Sequence, residues 1–350
     1  MKTLRLALLG FGNAGRAFAR LLLEKREEIK EKYDYDIVVT AIATGSRGNL
    51  VDPEGIDITK ALEELEARNS FSALKSLSRK STMEIVEQAE YDVAIEMTPL
   101  NIFTGEPAIS HIKGAMTRGK HVITANKGPI AWAFKDLKEM SKNRQVGFFY
   151  ETTVMDGTPV FNLYDYTLRM AKVTEVSGIL NSTTNFILEE MAVGTEYEEI
   201  MRRGREMGFI EANPAMDIEG YDAAAKITAL ANVLMDAAIT PDQVDRKGIE
   251  DITIEDIREA ASREKVIKLL CTASLDAGGK VRATVKPEEV DKTDMLAAVN
   301  STTSIISITT DLMKKLTVVE HEPEIEQTAY GVFGDLLRVV EYEYTDFWHK

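Results

Sequence analysis

Leu4-Arg5-Leu6-Ala7-Leu8-Leu9-Gly10-Phe11-Gly12-Asn13-Ala14-Gly15 is the stretch from which the fold can be read. A short apolar run ends in closely spaced glycines, and Ala17, Phe18, Leu21, Leu22 and Leu23 then follow helical spacing. Strand, glycine turn and helix in direct succession open a doubly wound α/β sheet. G-x-G-x-x-G by itself is a weak pattern, and a tight turn without a ligand is its plain alternative. Between a strand and a helix it has the context of a dinucleotide site, where glycines admit a pyrophosphate that rests on the helix N-terminus. Phe11, Gly12, Asn13, Ala14 and Gly15 are the cofactor contacts on this reading.

Working outward, Ile37 to Ala43 reads as the second strand, followed by Thr44-Gly45-Ser46-Arg47-Gly48. A chain selecting NAD carries an acidic residue here for the ribose 2′-hydroxyl; Ser46 and Arg47 suit a 2′-phosphate instead. The reading favours NADP, with NAD open and a solvated Arg47 as the alternative. Residues 50–82 are polar and helical in composition. Tyr91 to Pro99 reads as a buried strand that brings Thr98 to a carboxyl end, where such sheets bind ligands. A helix over His111–Gly119 and strands at His121–Thr124 and Val146–Tyr150 complete the pattern. Further on, residues 281–285, 304–310 and 316–321 alternate as strands of a second sheet. The fold class is α/β, an N-terminal Rossmann-type dinucleotide-binding domain over 1–150 followed by an α+β domain over 151–325.

The formal net charge of −15 argues against a nucleic-acid partner, since phosphate binding needs a basic surface. Cys271 is the only cysteine, so no intrachain disulfide forms and a reducing, cytoplasmic setting is expected. It lies in an apolar run that reads as a buried helix or strand. No targeting or membrane-spanning segment is expected.

The chemistry concentrates in Gly208-Phe209-Ile210-Glu211-Ala212-Asn213-Pro214-Ala215-Met216-Asp217-Ile218-Glu219-Gly220-Tyr221-Asp222-Ala223-Ala224-Ala225-Lys226. Asn213-Pro214 and Gly220 form turns, and a helix begins near Asp222. Asp222 and Lys226, four apart, project from neighbouring faces, with Glu211 and Asp217 on the approach. An exposed pair of this kind contributes only ~0.3–0.5 kcal/mol. Lys226 adjoins an apolar stripe, however, where amines are held for acid–base work or paired for structure.

The spacing G-(aromatic)-x-E-x-x-P-x-x-D-(Ile)-x-G-x-D-x-x-x-K resembles the signature of the homoserine dehydrogenases in their short, monofunctional form. It departs at Gly204, where the family usually has alanine, and at Ile210, where a small residue is usual. Thr124-Ala125-Asn126-Lys127 and Asn181-Ser182-Thr183-Thr184-Asn185-Phe186-Ile187-Leu188 resemble the same family. The resemblance implies NAD(P)-dependent interconversion of L-homoserine and L-aspartate 4-semialdehyde, in threonine, methionine and isoleucine biosynthesis. It implies that Lys226 is the catalytic acid, oriented by Asp222, with Lys127 reaching cofactor and substrate. Glu211, Asp217 and Asp222 would hold the substrate ammonium and Thr183 its carboxylate. It further implies a sodium ion held by Glu151 and carbonyls of Val154, Asp156 and Thr158. A homodimer built on 151–325 and a C-terminal helix, about 326–350, returning to the nucleotide domain are also implied. Two rivals stand beside it. An aspartate-semialdehyde dehydrogenase would need a cysteine nucleophile, and a non-enzymatic NAD(P) sensor would need the glycine turn alone.

Overall fold

The computed structural model describes residues 1–207, 210 and 213–344. In chain order the first elements are β1 (Lys2–Leu9), α1 (Asn13–Tyr33), β2 (Tyr35–Ala43), β3 (Asn49–Val51), α2 (Ile58–Arg68), β4 (Leu77–Ser78) and α3 (Thr82–Gln88). There follow β5 (Val93–Glu96), α4 (Ala108–Thr117), β6 (His121–Thr124), α5 (Lys127–Arg144), β7 (Phe148–Phe149) and α6 (Phe161–Thr167). Next come β8 (Val173–Ile179), α7 (Ser182–Ala192), α8 (Tyr197–Glu206), α9 (Ala215–Ile218), α10 (Tyr221–Met235), β9 (Asp245–Arg246) and α11 (Ile254–Ser262). The chain closes with β10 (Lys265–Leu275), β11 (Val281–Asp291), β12 (Ser304–Thr310), β13 (Lys314–Glu320) and α12 (Ile325–Tyr344). These form two compact units, Met1–Pro159 with the segment from Glu324, and Val160–Pro323.

The first unit is a seven-stranded sheet in the order β4-β3-β2-β1-β5-β6-β7. β1 pairs in parallel with β2 on one side and β5 on the other, so the strand order reverses at its carboxyl end, where doubly wound folds place ligands. In α12, Ala329, Val332, Phe333, Leu336, Val339 and Val340 recur at helical spacing and are buried in one core with Phe18 and Leu22 of α1. Each large apolar side chain so buried contributes ~1.5–3 kcal/mol, which ties the C-terminal helix to the N-terminal sheet.

Residues 50–82 depart from the helical expectation. β3 and β4 extend the sheet antiparallel beside β2, and only Ile58–Arg68 is a helix of any length. Leu50 is fully buried there, so pairing with β2 overrides the polar composition. Of the strand expected at Val146–Tyr150, only Phe148–Phe149 pairs, and Glu151–Thr153 is a 3-10 turn.

The second unit has a six-stranded sheet, β13-β12-β8-β10-β11-β9. Cys271 lies on a strand, β10, facing Gly178 across the antiparallel pair with β8. The two family departures meet here. A Cβ on Gly204 would stand 2.2 Å from Cδ1 of Ile210, so the larger residue fills the space the smaller one leaves.

Candidate active site

The glycine turn in the first unit has three separate jobs. Gly10 has φ +98°, and a Cβ there would lie 2.3 Å from the Met97 carbonyl oxygen. A Cβ on Gly15 would lie 2.6 Å from the carbonyl of Gly10, so this glycine lets α1 sit close against β1. Around Gly12 a Cβ would meet nothing within 4 Å, so protein packing does not demand glycine there, and the open backbone suits a close approach to a pyrophosphate. Gly12 caps α1 without a side-chain hydrogen bond and the first turn has no acidic residue, which suits an anion. Phe11 is buried beside Phe71, and Asn13 accepts a 2.7 Å hydrogen bond from Arg16. Ala14 stands in the first turn of α1. Arg47 donates from Nη1 to the Phe11 carbonyl at 3.4 Å, which places the guanidinium at the glycine turn.

Thr98 and Lys127 follow just beyond the carboxyl ends of β5 and β6, neighbouring strands of the same sheet. Glu96, fully buried, accepts from the Thr98 amide at 3.1 Å and from its hydroxyl, while Asn126 donates to the Thr98 carbonyl at 3.1 Å. Asn126 also caps α5, so Lys127 is its first residue. Glu96 was not singled out in the sequence, because only the fold shows what its carboxylate holds.

Glu151 is buried, and its amide donates to Asp335 Oδ2 at 2.9 Å. Burial pushes the Asp335 carboxyl up to about 7, against the pull of Arg338 at 3.4 Å. Val154 is buried, and Thr158 donates its amide to the Met155 carbonyl at 2.8 Å. The Asp156 side chain is turned to Thr328, accepting its hydroxyl at 2.5 Å. A Cβ on Gly157 would stand 2.3 Å from the Gln327 carbonyl, and one on Gly331 equally near Thr152, so the turn packs directly on α12. Among the described residues no group of three or more His, Cys, Asp or Glu side chains could hold a metal. A cation at this turn would therefore rest mostly on carbonyl oxygens, as a hard ion accepts. Thr152 Oγ1 is buried without a hydrogen-bond partner beside it, so an unsatisfied oxygen fits such an ion.

In the second unit, Lys226 donates from Nζ to the Leu180 carbonyl at 2.7 Å and lies 3.3 Å from Asp222 Oδ2. Asn181 Nδ2 donates to Asp217 Oδ1 at 2.6 Å and to Asp222 Oδ2 at 3.0 Å. Asp217, Asp222 and Lys226 are thus brought together as expected from their spacing; Glu211 lies outside the described residues. Thr183 is buried in the first turn of α7, which Asn181 caps. One turn further on, Asn185 accepts 2.8 Å from Lys268 on β10, whose ammonium burial lowers to about 8. That contact pins α7 to the sheet.

The turn between α9 and α10 has its own support. Gly220 takes φ +78°, Arg246 lies 3.6 Å over the Tyr221 ring and donates to the Glu219 carbonyl, and the Ile249 amide donates 2.8 Å to Ile218. Arg246 carries no motif, and its role was invisible in the sequence. Cys271 lies beneath the cluster, near Leu180, Lys226 and Asp222. Cys271 is buried, and burial pushes its thiol up to about 12, away from the exposed thiolate that the semialdehyde dehydrogenase rival needs.

A doubly wound sheet with this glycine turn, together with an α+β unit carrying a lysine–carboxylate cluster, defines a Rossmann-type dehydrogenase. The homoserine dehydrogenase family model matches residues 159–337. A homoserine dehydrogenase of Methanocaldococcus jannaschii is 35% identical over 95% of this chain and 97% of its own. An NAD(+)-dependent homoserine dehydrogenase of Pseudomonas canavaninivorans is 32% identical, covering 97% of each chain. A crystal structure assigned as a homoserine dehydrogenase, from Archaeoglobus fulgidus, superposes with a TM-score of 0.84 at 30% identity, covering 96% of this chain and 99% of that one. The chain belongs to the homoserine dehydrogenase family and is an oxidoreductase.

Proposed function

We propose that Lys226 is the proton donor and acceptor at the reacting oxygen of L-aspartate 4-semialdehyde and L-homoserine. The observation that carries this is the lysine nitrogen held between the Leu180 carbonyl at 2.7 Å and Asp222 at 3.3 Å. The bound nicotinamide supplies or accepts the hydride. In the reducing direction Lys226 gives a proton to the oxygen of the former aldehyde; in the oxidising direction it takes the hydroxyl proton back. Asp217 and Asp222, with Glu211, hold the substrate ammonium, and Thr183 at the N-terminus of α7 receives its carboxylate. Lys127 and Thr98 sit with the nicotinamide end of the cofactor. The decisive assay is homoserine oxidation with each cofactor, and no turnover with either would remove this reading.

For the cofactor, the glycine turn and the open end of α1 suit the pyrophosphate that both dinucleotides carry, and Arg47 favours NADP over NAD. Arg47→Ala is expected to weaken NADPH by roughly 1.5–3 kcal/mol and to leave NADH almost unchanged, since only the former carries the 2′-phosphate. Calorimetric titration of both cofactors checks this, and equal losses for the two would make Arg47 an ordinary surface charge.

A sodium ion on Glu151 and the carbonyls of Val154, Asp156 and Thr158 is the third part of the reading. Exchanging choline chloride for sodium chloride at equal ionic strength should raise the thermal midpoint by a few degrees in wild type and much less in Glu151→Gln. Equal midpoints in the two salts would leave no ion there. The chain is read as a cytoplasmic homodimer, to be checked by light scattering and cell fractionation; among the described residues no helix is long and apolar enough to cross a membrane.

A further inference from the structure

We infer that Asn181 is a positioning residue that sets the spacing of Asp217 and Asp222 and thereby the affinity for the substrate's ammonium group. The inference rests on the roles proposed above for Asp217 and Lys226. Its Oδ1 accepts from the Thr184 amide at 2.8 Å and from the Thr184 hydroxyl at 2.9 Å. The Thr184 hydroxyl shares its one proton between that oxygen and the Asn181 backbone carbonyl at 3.1 Å, so the bond from the Thr184 amide fixes the side-chain amide's orientation and turns Nδ2 toward the acids. Nδ2 then donates at 2.6 Å to one carboxylate and at 3.0 Å to the other. Two negative groups can stay no further apart than those two bonds allow, a separation at which they repel unless a donor stands between them. The preceding residue, Leu180, holds Lys226 by its carbonyl at 2.7 Å. Leu180 and Asn181 together form a clamp, the first on the lysine and the second on the carboxylates.

Capping α7 is the competing role, and the two make opposite rankings. Asn, Asp and Ser cap helices almost equally well and alanine poorly. A residue that only caps would leave Asn181→Ser and Asn181→Asp near wild type and make Asn181→Ala the worst. The bridging role reverses this order. Serine is too short to reach both acids, and aspartate adds a third negative charge where a donor is needed.

The experiment is steady-state homoserine oxidation and thermal melting of wild type, Asn181→Ser, Asn181→Asp and Asn181→Ala, with Asp217→Ala and Lys226→Ala as references. Asn181→Ser should keep the wild-type midpoint and cofactor affinity while its KM for homoserine rises about tenfold or more and kcat falls less, because Leu180 still holds Lys226. Asn181→Asp should lose the most in kcat/KM; if it does not fold, the serine variant decides alone. Wild-type KM in Asn181→Ser, with both references impaired, overturns the inference and leaves the site reading standing. Unimpaired references would overturn the site reading and this inference together.

Discussion

Lys226→Ala is expected to lower homoserine turnover by about 10²–10⁴-fold while cofactor affinity stays nearly unchanged. Negative charge develops on the carbonyl oxygen as hydride arrives, and a proton delivered from a fixed nitrogen cancels it in the transition state. The nitrogen is fixed here by acceptors of two kinds, a backbone carbonyl at 2.7 Å and a carboxylate at 3.3 Å. The glycine turn belongs to the other unit, so binding and chemistry should separate. Lys226→Arg keeps the charge but replaces a compact ammonium by a planar fork that does not give up its proton, and should be nearly as slow. Stopped-flow turnover, fluorescence titration of NADPH and a thermal melt make the comparison. Near-normal turnover in a folded alanine variant would make Lys226 a structural residue.

Asp217→Ala should raise the KM for homoserine by roughly 10- to 150-fold, the equivalent of a charge-assisted contact of ~1.5–3 kcal/mol, with a smaller effect on kcat. Its carboxylate is placed by Asn181 at 2.6 Å, so the substrate ammonium meets an acceptor already in position. The effect should depend on the amine. With 4-hydroxybutanoate, which lacks the amino group, wild type and variant should be equally poor. A variant that discriminates homoserine from that analogue as well as wild type does would move the ammonium site elsewhere.

Much of this was legible because it is local. The jobs of Gly10, Gly12 and Gly15 follow from positive φ, close packing and open space within a single strand–turn–helix unit. Asp222 and Lys226 share one helix, so their pairing is a matter of pitch. Within residues 50–82 the helix Ile58–Arg68 follows the composition, whereas β3 and β4 exist only by pairing with their neighbours, and a polar stretch carries no sign of a partner.

The sequence by itself determined the fold class, through its alternation of strand and helix patterns, and the grouping of Asp217, Asp222 and Lys226, which one turn and one helix carry. Tertiary structure alone decided what holds the cluster. Asn181 caps α7, a local role, yet its amide meets carboxylates 36 and 41 residues later. Arg246 supports the turn before α10 from 27 residues beyond Glu219, and Lys268 secures α7 from 83 residues beyond Asn185. A hydrogen bond reaches about 3 Å whatever the separation along the chain, so such partners become visible only when the sheets and helices bring them together.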